Sequence, residues 1–110
     1  MSSEQGVPSD QPLVSEFAGD PDMVEIVEYF VEELPSRVVA IREAASTKDT
    51  TSLTTLAHQL KGAAPGYGFP DIGAAAGVLE ASLRSSEGSV DQLMGQVEDL
   101  ASLCERARIK

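Results

Sequence analysis

From Met23 to Ala107 the apolar residues of this chain recur at intervals of three and four, and no stretch alternates apolar with polar residues as a half-buried strand would. That spacing commits the chain to helices packed along one apolar stripe each. The first stripe runs Met23, Ile26, Val27, Phe30, Val31, Leu34, Val38, Ile41 and Ala45, after an Asp20-Pro21 pair that reads as N-cap and first helical residue. Pro35 interrupts the stripe without shifting its phase, which predicts either one kinked helix or two nearly coaxial ones. Asp49 is the next N-cap, for a helix from about Thr50 to Pro65 or Tyr67 with Leu53, Leu56, Leu60 and Ala63 inward. Pro70 opens a further helix carrying Ile72, Ala76, Leu79 and Leu83, which Gly88 stops. Ser89 and Gln92 form a capping-box signature ahead of Val90, Leu93, Met94, Val97, Leu100, Ala101, Cys104 and Ala107, the stripe of a last helix. Short connections between helices of similar length favour antiparallel neighbours. The expected fold is all-α: an antiparallel up-and-down four-helix bundle over residues 20–110, with no strand. Residues 1–19 begin with a polar stretch rich in Ser, Gly and Pro, too poor in apolar side chains to offset the entropy of ordering. They are expected to be a flexible N-terminal tail with a short turn around Phe17.

The chain's 110 residues suit one domain, with room for a core but not for a large cofactor cleft as well. Eighteen acidic against eight basic residues, a net charge of −10, argue against a nucleic-acid partner and for a protein one. One cysteine, Cys104, and one histidine, His58, exclude an internal disulfide, a structural zinc site and a haem or metal bundle. No apolar run approaches the roughly 18–20 residues that span a bilayer, and the N-terminus lacks the basic and apolar regions of a signal peptide. A cytoplasmic monomer without membrane contact is the expectation.

The single histidine lies in the run Leu56-Ala57-His58-Gln59-Leu60-Lys61-Gly62. At 100° per residue, Leu53, Leu56, Leu60, Ala63 and Tyr67 fall within about 40° of one direction, and His58 points about 180° away. Lys61 and Gly62 lie to either side of His58, at roughly 60° and 40°, and Pro65 about 20° from it two turns on. An outward imidazole thus has a cation and a residue without a side chain beside it. Gly62, Gly66 and Gly68 stand in or just after a helix, where glycine costs about 1 kcal/mol relative to alanine but leaves room for another surface. Cys104 sits in an apolar stripe and reads as core, so hydrolytic catalysis lacks a partner for His58.

The segment His58-Gln59-Leu60-Lys61-Gly62-Ala63-Ala64, with Gly68 at the tenth position after the histidine, resembles the signature of histidine-containing phosphotransfer (HPt) domains of bacterial phosphorelays. Tyr67-Gly68-Phe69-Pro70 and Leu79-Glu80 extend the resemblance, and the four-helix pattern carries it from about residue 20 to 108. It implies that His58 accepts a phosphoryl group from a receiver aspartate or a histidine kinase and passes it to a response-regulator receiver domain. Lys61 would stabilise the charge of the moving group. By position in the motif, Glu80 would orient the imidazole through its other ring nitrogen, or else it is a surface carboxylate. Thr54, Thr55, Gly62, Pro65 and Gly66 are expected on the receiver-docking face. No cofactor is implied for this chain, since magnesium belongs to the receiver. The absence of a Walker loop or kinase nucleotide motif fits a phosphoryl carrier rather than a kinase. The alternative is a helical docking or adaptor module that works without phosphate. Pro65 departs from the family pattern, which more often has Gly, Ala or Ser there. It predicts a kink or loosened turn just beyond the histidine.

Overall fold

A computed structural model describes residues 11–85 and 89–109 of the chain. Four helices make up the body: α1 (Val24–Ser46), α2 (Thr50–Ala63), α3 (Pro70–Arg84) and α4 (Met94–Arg106). Each lays its apolar stripe into one core, built on Val27, Phe30, Leu34, Val38 and Ile41 of α1, Leu53 and Leu60 of α2, Ile72 and Leu79 of α3, and Val97 and Leu100 of α4. Burying a side chain of this size contributes about 1.5–3 kcal/mol, so this packing is a main support of the fold. Arg42 reaches from α1 to Glu98 (2.8 Å) and Glu105 (2.7 Å) of α4, an exposed ion cluster that adds register more than strength.

The helix boundaries follow the local signals with informative exceptions. Asp49 caps α2: its carboxylate accepts the Ser52 backbone N–H at 3.1 Å and the Ser52 hydroxyl at 2.7 Å. Ser89 and Gln92 complete the reciprocal capping box, but it opens a 3₁₀ turn, Val90–Leu93, and α4 proper starts at Met94. Asp20 caps a turn rather than α1. Its carboxylate takes the Asp22 N–H at 2.9 Å and its carbonyl the N–H groups of Met23 and Val24, so the helix begins at Val24. Helix α1 continues through the exposed Pro35 as a single element. Gly88, the expected stop of α3, lies outside the described residues, as do residues 1–10 of the expected tail.

The described part of that tail is fastened. Leu13–Val14 (β1) pairs in parallel with Ala107–Arg108 (β2), where no strand was expected, and Leu13 stands opposite Ala107. Ser15, 3% exposed, donates its hydroxyl to the Tyr67 carbonyl at 2.8 Å and accepts the Phe17 N–H at 3.0 Å. The Glu16 N–H donates to the Gly68 carbonyl at 2.9 Å. Gly68 has φ +88°, a left-handed conformation, and a Cβ there would drive into Ser15 and lie 2.8 Å from the Glu16 nitrogen. The glycine of the motif therefore turns the chain between α2 and α3 and seats the N-terminal segment.

Candidate functional site

The face that α2 turns inward decides where its histidine goes. Leu53, Ala57, Leu60 and, just beyond the helix, Ala64 are buried, whereas Leu56 and Ala63 are half-buried. The inward direction is thus rotated by about 50° from the one that Leu53, Leu56, Leu60, Ala63 and Tyr67 define. His58 points about 130° from the core instead of 180°, which leaves it exposed but on the flank facing α3.

Helix α3 comes close along that flank because it presents glycine there. A Cβ on Gly77 would meet the Lys61 side chain at 3.6 Å, and one on Gly73 would meet the Pro65 ring at 2.6 Å. Pro65, exposed on its outer side, thus packs its ring edge into the space a side chain at position 73 would take. It also shortens α2: the helix ends at Ala63 and tightens into a 3₁₀ turn, Ala64–Tyr67. Gly73→Ala should lower stability, because overpacking of about 1–3 kcal/mol outweighs the ~1 kcal/mol gained in helix propensity. With Pro65→Ala already in place, the same change should become neutral or stabilising by up to about 1 kcal/mol. Urea unfolding of the two single variants and the double variant measures that change of sign.

One turn further along the seam stands Glu80, whose side chain is only 7% exposed. Its Oε2 lies 2.9 Å from His58 Nδ1 and accepts the Arg84 Nε–H at 2.8 Å. Lys61 Nζ is 3.6 Å from Oε1, close enough for charge attraction but too far for a hydrogen bond. His58, Lys61 and Arg84 are each more than half exposed around this buried acid. The Arg84 hydrogen bond above all holds the Glu80 carboxyl below the usual carboxylate range. The His58 hydrogen bond and the charges of His58 and Lys61 act the same way, against the opposing effect of burial. Because that shift is downward, whatever these contacts contribute to stability is present above the ordinary carboxyl range and lost as pH falls through the lowered value.

An ionised carboxylate only accepts, so hydrogen-bond logic puts a proton on Nδ1 of His58. When the ring is neutral, Nε2 is then the nitrogen with a free lone pair. The contact ties the ring to α3 through Nδ1.

Among the residues singled out from the sequence, His58, Lys61 and Glu80 converge, and Pro65 belongs to the same seam. Thr54 and Thr55 lie one turn before His58, their hydroxyls donating back to the Thr50 (2.7 Å) and Thr51 (3.0 Å) carbonyls. With Arg84 these threonines line a shallow hollow. Gly62 and Gly66 face open space. Sequence inspection missed Arg84, although its spacing four residues after Glu80 on a helix was a signal for the pair. A wider groove between α1 and α2, lined by Ala40, Glu43, Thr47, Ser52 and Leu56 among others, contains no comparable cluster. Burial pushes the Cys104 thiol up to about 12, so it is no nucleophile at neutral pH. Among the described residues no three or more His, Cys, Asp or Glu side chains gather as a metal site, and no helix is long and apolar enough to cross a membrane.

Compared with known proteins, the chain is matched over residues 25–109 by the family model described as Hpt domain. No curated protein and no solved structure matches it.

Proposed function

The chain belongs to the Hpt domain family, whose members carry out histidine phosphotransfer in phosphorelays with receiver domains and kinases as partners, and from that premise we propose that His58 is the phosphoryl acceptor of this protein. The observation that carries this reading is the Nδ1 to Glu80 Oε2 bond of 2.9 Å on a ring that is otherwise exposed. It leaves Nε2 as an outward nucleophile that needs no base to strip a proton from it.

In the proposed step Nε2 attacks phosphorus in line, the N–P bond forms, and the bond from phosphorus to the receiver's aspartyl oxygen breaks. The aspartate leaves as its carboxylate and no proton moves. The positive charge that develops on the ring is shared across Nδ1–H with Glu80. Lys61, held by charge but without a hydrogen bond, is free to turn toward the oxygens of the phosphoryl group. The divalent cation of the reaction is assigned to the receiver, and the open surface at Gly62 and Gly66, with Thr54, Thr55 and the outer side of Pro65, to its docking.

Transfer of labelled phosphoryl from a panel of phosphorylated receivers tests the reading: an acid-labile, base-stable label on this chain is expected, and none with any receiver would refute it. Lys61→Ala should slow transfer about 10- to 100-fold, with an unchanged circular dichroism spectrum. Equal rates would remove Lys61 from the mechanism.

A further inference from the structure

Resting on the phosphotransfer reading, we propose that Arg84 is a positioning residue of this site: it holds Glu80 in place for His58 and keeps the His58–Glu80 pair from taking up a proton, so that Nε2 stays available. One oxygen, Oε2, serves both donors, at 2.8 Å from Arg84 Nε and 2.9 Å from His58 Nδ1. A buried carboxylate bonded to an imidazole and to nothing else favours the imidazolium. That would be self-defeating here, because the proton would occupy the lone pair that has to attack phosphorus.

Arg84 offsets this by placing a permanent cation on the same oxygen. The charged groups facing Glu80 are His58 and Lys61 from α2 and Arg84 from α3 itself; α4, also packed on α3, brings none among the described residues. With the ring neutral, Glu80, Arg84 and Lys61 sum to +1, and an added proton makes it +2. Without Arg84 the same proton enters a neutral cluster. The hydrogen-bond pattern separates the two cations as well: Arg84 is bonded to the carboxylate through Nε, whereas Lys61 stands 3.6 Å off and can leave for the incoming group. Arg84 stays with the acid and Lys61 goes with the phosphoryl.

The test is titration of the free protein labelled with ¹⁵N-histidine, following both ring nitrogens in wild type, Arg84→Gln, Arg84→Lys and Glu80→Gln. In Arg84→Gln the midpoint at which the pair takes up a proton should move upward by about 0.5–1 pH unit at low ionic strength, a 3- to 10-fold gain in proton affinity. The acid limb of the pH profile for phosphoryl acceptance should move with it. Arg84→Lys, which keeps the charge, should restore most of the wild-type midpoint. In a Glu80→Gln background the effect of Arg84→Gln should shrink, because the residue acts through the carboxylate. An unmoved midpoint in Arg84→Gln, with transfer slowed equally at every pH, would overturn the proposal and leave Arg84 a structural residue. The ring titration needs no partner domain, so it decides this point even if phosphoryl acceptance itself were to fail.

Discussion

His58→Gln is expected to lose phosphoryl acceptance entirely, at least about 10³-fold, while the bundle stays folded. Catalysis by a single nucleophile has no fallback when that atom is removed, and the chain has no second histidine to take over. The fold should not suffer, because the imidazole is 65% exposed and, among the described residues, is bonded just to a carboxylate that keeps Arg84 as a donor. Substitutions at such positions usually change stability by less than about 1 kcal/mol, which moves the melting temperature of a domain this size by a few degrees. Receiver-dependent labelling and a thermal melt on the same preparation check both halves. A variant that still takes label would place the acceptor elsewhere. A variant that unfolds would mean that the Glu80 bond is structural before it is chemical.

The second large effect is expected far from any chemistry. Gly68→Ala should destabilise the protein by about 3 kcal/mol, or roughly 15 °C in melting temperature. A side chain in the left-handed conformation costs about 1–2 kcal/mol on its own. The new Cβ would also have to displace the Ser15–Phe17 segment, breaking hydrogen bonds to Tyr67 and Gly68 worth about 0.5–1.5 kcal/mol each. Hydrogen exchange should show the Glu16 amide losing protection together with the amides of the Ala64–Tyr67 turn. Unchanged stability and exchange would show that the N-terminal segment is not seated on Gly68 in solution.

These two residues mark what was and was not legible in the sequence. The helices were legible because their signals are local: Asp49 before Thr50, Pro70 at a helix start and the Ser89–Gln92 box all act within one turn. The outward phase of His58 was legible for the same reason. The pairing of Leu13–Val14 with Ala107–Arg108 was not, since strands of two residues carry no periodicity and their partner is at the other end of the chain. Glycine at position 68 was readable as a motif element, but its second use, seating Ser15, depends on that remote segment. The rotation of α2 escaped because alanine is small enough for either face. Ala57 and Ala64 are buried, and Leu56 is not fully so, because of how closely α3 approaches at Gly73 and Gly77, which no helical wheel of α2 alone contains. Arg84 also stands in the last turn of α3, where a basic residue is favourable on helix-terminus grounds alone and so does not stand out in the sequence.

The glycine seam sets a dimensional tolerance on the chemistry. A glutamate side chain is short, and its bond to Nδ1 spans 2.9 Å. Stretching that bond by little more than half an ångström would take it out of useful range. The spacing between α2 and α3 therefore acts as a calibrated gap, held by a proline ring facing Gly73 and a lysine stem facing Gly77. A substitution that wedged these two helices apart, without touching the imidazole, would release the ring from the tautomer that the Glu80 bond favours.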